Sequence, residues 1–167
     1  PPLPYTLGME LTGVVEDGPS EWLGRRVVAT ARGAFGAHAE LVACSIAMTF
    51  DAPEALPGSD AAAFLFPFHL AWLGLHERGG LRAGETVLVH AAAGGVGSAA
   101  VQLAVAAGAR VLATAGGAEK ADLCRSLGAE LVIDYRTDDV AAAVLDATTG
   151  EGVDVVFDGV GLFETSL

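Results

Sequence analysis

A run of small residues between two apolar segments has the composition and position needed to bind a phosphate. It separates the β-branched segment 86–90 from the alanine-rich segment 98–107. Glycines let the backbone approach an anion, and the N–H groups and dipole at a helix start attract its charge. We therefore interpret the run as a strand-to-helix turn that binds the pyrophosphate of a dinucleotide. Its residues are Ala93, Gly94, Gly95, Val96 and Gly97.

The predicted elements on either side of this turn support the interpretation better than the glycine pattern of the turn itself does. Ala92 stands where the fingerprint G-x-G-x-x-G has its first glycine. A predicted strand at 86–90, a helix at 96–107 and a second strand at 110–114 nevertheless form the expected strand–helix–strand unit. Gly97 would let that helix and strand pack closely. The alternative is an ordinary tight turn that binds nothing.

Composition and charge narrow the choice of partners and compartment. The chain has 167 residues, of which 52% are hydrophobic, and a net charge of −12. An acidic chain disfavours nucleic acids and anionic membranes as partners, because both require a cationic surface. Cys44 and Cys124 are far apart in sequence, which excludes a disulfide framework and a four-cysteine zinc site. We therefore predict a cytoplasmic protein that binds neither nucleic acid nor membrane.

The predicted elements change character along the chain. Glycine- and proline-rich turns separate short strands at 8–17, 22–30, 35–43 and 46–50. A helical run over 60–78 follows, with Ser59 as its N-cap and an interruption at Pro67. Strands then alternate with helices, which predicts a parallel, doubly wound sheet. These strands are at 86–90, 110–114, 131–134 and 154–157, and the helices are at 96–107, 118–127 and 138–148.

Four segments resemble the zinc-free quinone oxidoreductase (zeta-crystallin-like) branch of the medium-chain dehydrogenase/reductase superfamily. They are GMELTGVVE at 8–16, LRAGETVLVHAAAGGVGSAAVQLA at 81–104, GAEKADLCRSLGAELVIDYR at 117–136 and DVVFDGVG at 154–161. AAAGGVG is this family's own form of the glycine fingerprint. The resemblance implies an α/β fold in which residues 1–55 are part of a small GroES-like β domain and residues 56–167 part of a Rossmann-type domain. Both domains are expected to be incomplete, since the family's full-length chain is about twice as long.

The resemblance also implies a reaction. The family passes a hydride from NADPH to a quinone or an activated enone, and the cofactor carries the chemistry. Zinc-dependent relatives have a histidine where this chain has Met9, immediately before Glu10. We therefore expect no metal, assign no catalytic residue, and predict a homodimer for the full-length protein.

The residues after the second strand of this unit bear on the choice between NADPH and NADH. NAD recognition uses an acidic residue there, and the sequence at 113–115 has none. In the family, a glycine, a lysine and a tyrosine at the positions of Gly116, Lys120 and Tyr135 bind the 2′-phosphate of NADPH. The alternatives are that Lys120 is a solvated helix residue and that Tyr135 covers the sheet edge.

Three further positions are weaker candidates for the cofactor site. Val160 and Gly161 match the family's position beside the nicotinamide, with a plain strand-end turn as the alternative. His69 stands where the family places a small polar residue near the nicotinamide, and packing or hydrogen bonding is the alternative role. His38, His76 and His90 show no ligand spacing and are interpreted as structural.

Two other functions fit the same residues. One is the enoyl reductase domain of a polyketide or fatty-acid synthase, for which GAFG at 33–36 and the 81–97 block also match. The other is a module that binds NADPH without turnover. The residues themselves do not separate this module from a reductase.

Overall fold

The computed structural model describes residues 3–162 of the chain. The chain divides into two compact units, Pro1–Phe66 and Pro67–Leu167. The domain boundary expected between residues 55 and 56 stays a prediction.

The first unit is built on an antiparallel sheet of three strands. Strands β1 (Glu10–Val14), β2 (Arg26–Ala31) and β3 (Cys44–Asp51) lie in the order β1-β2-β3. The register shifts between Ala29 and Ala31, where β2 pairs with β3. The predicted strands at 8–17, 22–30 and 46–50 correspond to β1, β2 and β3. The alternating, β-branched composition of these segments suits a half-buried sheet.

The predicted strand at 35–43 is wrong, because this segment is a loop. Gly33, Ala34 and Gly36 have φ values of 92°, 77° and 120°, which interrupt an extended chain. The N–H groups of Gly36 and Ala37 both donate to the carbonyl of Gly8, and that of His38 donates to Leu7. The N–H groups of residues 36–38 are therefore satisfied by a neighbouring loop rather than by a strand.

Helices α1 (Gly58–Ala62) and α2 (Leu65–Trp72) occupy the predicted helical run, and a π-helical segment, Leu73–Arg78, follows. Two details of the prediction are wrong. Pro57, not Ser59, is the N-cap of α1. The break lies before Pro67, which is the third residue of α2, because proline is tolerated in a first turn that needs no N–H donor.

The second unit confirms the predicted α/β class. Its parallel sheet has the order β6-β5-β4-β7 and matches the predicted strands within one residue at each end. The strands are β4 (Thr86–Val89), β5 (Arg110–Ala115), β6 (Leu131–Asp134) and β7 (Val155–Phe157). The helices are α3 (Gly95–Ala106), α4 (Ala118–Ser126) and α5 (Val140–Ala147).

Helices cover both faces of this sheet, as in a doubly wound fold. Val87, Val89 and Val111 pack on one side with residues of α3 and α4. Leu88 and Leu112 pack on the other side with Val144 of α5. Adjacent residues of a strand point to opposite faces, so continuous apolar strands are buried on both sides. None of the helices in residues 3–162 is long and apolar enough to cross a membrane.

Candidate dinucleotide-binding site

The glycine-rich turn lies directly after the carboxyl end of β4. Ala91 adopts a positive φ of 49°, and its carbonyl accepts the N–H of Gly94 at 2.9 Å. The N–H of Ala92 donates to the carbonyl of Thr114, near the end of β5, at 3.0 Å. Helix α3 then begins at Gly95. The turn is therefore held at the edge of the sheet where open α/β folds bind ligands.

Two glycines of this turn serve different purposes. A Cβ on Gly97 would overlap the carbonyl oxygen of Ala91 and lie 2.9 Å from the Cα of Ala92. Gly97 thus lets the start of α3 pack closely on Ala91 and Ala92. A Cβ on Gly95 would meet no atom within 4 Å. Gly94 and Gly95 are exposed, so this part of the backbone is open to a ligand.

The start of α3 offers backbone N–H donors. Gly94 is the N-cap and provides no side chain to cap the helix. The N–H groups of Gly95, Val96 and Gly97 have no hydrogen-bond acceptor among residues 3–162. The first N–H groups of a helix have no partner within the helix and attract anions. The observed turn therefore fits the pyrophosphate-binding role predicted for residues 93–97.

A buried polar pair supports the turn from beneath. His90 and Thr114 are 2% and 1% exposed, and His90 Nδ1 lies 3.2 Å from Thr114 Oγ1. The same hydroxyl oxygen accepts the N–H of Ala91 at 3.2 Å. Thr114 therefore holds the first residue of the turn. Sequence analysis interpreted His90 as structural, and this contact to Thr114 agrees with that interpretation.

Burial lowers the pKa of His90 below its usual 6.5, although the charge of Asp158 acts in the opposite direction. The unfolded chain, in which the histidine is solvated, thus binds a proton at a higher pH than the folded chain does. We expect the free energy of unfolding to fall as the pH drops below about 6.5. Urea denaturation from pH 8 to pH 5 measures this, with His90→Asn as the control. The contribution of His90 is contradicted if the wild-type and His90→Asn curves run parallel across that range.

A second group of residues lies beyond β5 and β6. A Cβ on Gly116 would lie 2.9 Å from the hydroxyl oxygen of Tyr135, so the structure brings these two predicted residues together. Tyr135 is 54% exposed. Lys120 is exposed in the first turn of α4, and no hydrogen bond joins it to Tyr135 within residues 3–162. Glu119 also lies in that first turn.

Asp134 and Arg136 complete this group, and sequence analysis missed both. Arg136 Nε and Nη2 donate to the two carboxylate oxygens of Asp134 at 3.0 and 2.9 Å. Asp134 also accepts the backbone N–H groups of Arg136 at 3.1 Å and Gly117 at 2.9 Å. These bonds, those from the guanidinium above all, hold the pKa of Asp134 well below its usual range. The signal in the sequence that could have indicated this ion pair is the acidic and the basic residue on either side of Tyr135.

Within residues 3–162, no hydrogen bond or ion pair joins the weaker candidates to the turn. His69 is exposed in the last turn of α2. Val160 and Gly161 follow β7, and the carboxylate of Asp158 accepts both of their N–H groups at 2.9 Å. These two N–H groups are thus already paired within the chain. The assignment of these three residues to the nicotinamide stays a prediction.

The parallel sheet and the glycine-rich turn after β4 define a Rossmann-type dinucleotide-binding fold. The family described as "Zinc-binding dehydrogenase" matches residues 95–167. In residues 3–162, the His, Cys, Asp and Glu side chains form no group of three that could hold a metal ion.

Known proteins extend the match to the whole chain. A quinone oxidoreductase of Pseudomonas aeruginosa is 41% identical over 172 residues, which cover 100% of this chain and 53% of that protein. A mycocerosic acid synthase-like polyketide synthase of Mycobacterium tuberculosis is 39% identical over 158 residues, 92% of this chain and 7% of that protein. The chain thus spans only part of the relatives it matches.

Solved structures show the same relationship. The quinone oxidoreductase of Thermus thermophilus, determined also in complex with NADPH, is 41% identical with a TM-score of 0.77. That match covers 94% of this chain and 48% of the other. The chain belongs to the medium-chain dehydrogenase/reductase superfamily, in its quinone oxidoreductase-like branch.

Proposed function

We propose that the protein is an NADPH-dependent oxidoreductase that transfers a hydride to a quinone or an activated enone without a metal. The observation that carries this proposal is the turn after β4. There, exposed glycines and unpaired helix N–H groups lie at the ligand-binding edge of a parallel sheet. Gly97 leaves no room for a Cβ, so α3 packs closely on the turn, whereas the space at Gly95 is open. This arrangement supports a backbone cradle for a dinucleotide.

In this proposal, different residues of the second unit bind different groups of the cofactor. The turn at residues 93–97 holds the pyrophosphate through its backbone N–H groups. Gly116, Lys120 and Tyr135 hold the 2′-phosphate. Strand β5 ends at Ala115 with no acidic residue that would accept hydrogen bonds from the ribose hydroxyls of NADH.

The chemistry of the proposed reaction comes from the nicotinamide, which donates a hydride when the cofactor is bound. The chain's own residues bind and orient the cofactor and exclude water from it. We propose that His69, Val160 and Gly161 flank the nicotinamide. No residue is assigned a proton-transfer role. The metal-free character rests on Met9, which replaces the histidine of zinc-dependent relatives, and on the separation of the two cysteines.

A second candidate function is supported by the match to a polyketide synthase. In that case the chain is part of an enoyl reductase domain, and its acceptor is an enoyl thioester. Measuring NADPH oxidation with a panel of quinones and a panel of enoyl thioesters separates the two. Carrier-protein or ketosynthase sequences beside this chain would favour the synthase. NADPH binding without oxidation in either panel would favour a non-catalytic module.

If the protein is the reductase, we propose that it is cytoplasmic and that the full-length protein forms a homodimer. Residues 1–55 would then be part of a GroES-like domain.

Lys120 provides a direct test of the cofactor choice, and it is the only lysine in the 167 residues. Replacing Lys120 with alanine in the full-length protein should weaken NADPH binding by on the order of 1–3 kcal/mol, because a charge-assisted contact is lost. NADH binding should change little, and Lys120→Arg should retain most of the NADPH affinity. Titration of both cofactors measures this. Equal wild-type affinities for NADPH and NADH would contradict the proposed specificity.

A further inference from the structure

We propose that Arg136 is a second cationic contact for the 2′-phosphate of NADPH, and that Asp134 positions its guanidinium group for this contact. The inference rests on the proposed NADPH specificity and adds a specificity-determining residue to it. It arises from the placement of Arg136 over two consecutive glycines at the end of β5.

The two glycines leave the space that Tyr135 and Arg136 occupy. A Cβ on Gly117 would lie 2.7 Å from Arg136 Nη2, and a Cβ on Gly116 would lie 3.3 Å from Arg136 Nε. A side chain at Gly117 would therefore displace the guanidinium group, and a side chain at Gly116 would displace the hydroxyl of Tyr135 and crowd the guanidinium group. In dinucleotide-binding domains, the ribose that carries the 2′-phosphate lies at the end of this second strand of the unit.

Asp134 fixes the orientation of the guanidinium group. It accepts two hydrogen bonds from the guanidinium group of Arg136, one through each carboxylate oxygen, while the N–H of Gly117 also donates to it. The remaining terminal nitrogen, Nη1, has no hydrogen-bond partner in residues 3–162. The arginine side chain is 56% exposed, so a ligand can reach it. A guanidinium group held in this way is well suited to a phosphate, because its planar donors match two oxygens at once.

The ion pair alone does not explain this arrangement. An exposed ion pair contributes little to folding stability. Arg125 and Asp122 form such a pair on α4, with an N–O distance of 2.7 Å and an arginine that is 54% exposed. No atom of either side chain of that pair is among the three atoms nearest to a Cβ on any glycine of residues 3–162. Of these two pairs, the Arg136 pair is the one whose arginine lies directly against glycines, where a side chain would crowd it.

Arg136 and Arg125 are similarly exposed and each pairs with an aspartate, so Arg125 is a matched control for Arg136. Arg136→Gln and Arg125→Gln remove the same charge from the same unit of the full-length protein. The probes are 2′,5′-ADP, which carries the 2′-phosphate, and 5′-AMP, which lacks it. We expect Arg136→Gln to weaken 2′,5′-ADP binding roughly 10- to 100-fold in calorimetric titration, with little effect on 5′-AMP. Arg125→Gln should leave both affinities within about twofold. In kinetics, the KM for NADPH should rise for Arg136→Gln while kcat is retained.

Other outcomes overturn the inference. If Arg136→Gln binds 2′,5′-ADP as the wild type does, or weakens both probes equally, Arg136 has no specific role. If this happens while Lys120→Ala still loses preference for 2′,5′-ADP, the proposed NADPH specificity stands and only the inference fails. If the wild-type protein binds 2′,5′-ADP and 5′-AMP equally well, both the proposed NADPH specificity and the role of Arg136 are contradicted. Should Arg136→Gln fail to fold, Arg136→Lys replaces it, since lysine keeps the charge and loses the fork. A folded Arg136→Lys with unchanged affinity for 2′,5′-ADP would also overturn the inference.

Discussion

Replacing Gly97 with alanine should abolish tight dinucleotide binding and lower the free energy of unfolding by about 3 kcal/mol or more. The added methyl group would overlap the carbonyl group of Ala91 and lie 2.9 Å from the Cα of Ala92. Both contacts are to backbone, which cannot move aside as a flexible side chain can. The cost should therefore lie at the upper end of that measured for overpacked sites. Relief of the overlap would shift α3 away from the turn and misplace its first N–H groups.

Gly95→Ala is the matched control for this prediction. The same methyl group at Gly95 would meet no atom within 4 Å, and Gly95 does not have a positive φ. We expect the free energy of unfolding to change by no more than about 0.5 kcal/mol. Urea denaturation of both variants and titration with NADPH measure the two effects. A Gly97→Ala protein as stable as Gly95→Ala would show that the turn is not packed as described.

Thr114→Val should lower the free energy of unfolding by about 2–4 kcal/mol and weaken dinucleotide binding. Valine has nearly the shape of threonine but lacks the hydroxyl group. The partly buried N–H of Ala91 would lose its acceptor, and the buried His90 Nδ1 would lose one partner. A buried polar group that loses its partner costs about 1–3 kcal/mol. Ala91 holds a positive φ, so it should leave this conformation when its bond to Thr114 is lost.

Thr114→Ser separates the hydroxyl group from the methyl group. Serine keeps Oγ and loses one buried methyl group, which should cost about 1 kcal/mol. Its affinity for NADPH should remain near that of the wild type, whereas the affinity of Thr114→Val should fall. Denaturation and cofactor titration of both variants provide the comparison. Equal losses of affinity in the two variants would mean that packing, and not the hydroxyl group, supports the turn.

The sequence predicted the second unit closely because its signals are local. Apolar strands, amphipathic helices and glycine stops alternate along the chain, and each element is recognisable from its own residues. Helix α4 was predicted at 118–127 and is found at Ala118–Ser126. The first unit was harder, because segment 35–43 has an alternating pattern whose outcome depends on a distant partner. This segment forms a loop because two of its N–H groups donate to the carbonyl of Gly8 and because residues around Gly33 have positive φ values.

The sequence by itself determined the class of fold and the position of the phosphate-binding turn, since a strand, a glycine run and a helix follow one another within 86–107. The tertiary structure alone decided the strand order β6-β5-β4-β7, which places residues of different strands side by side. Thr114 reaches the turn across 23 residues of chain, and Asp134 reaches Gly117 across 17. Such contacts depend on which strands pair, and pairing is set by the burial of both sheet faces together rather than by any single segment.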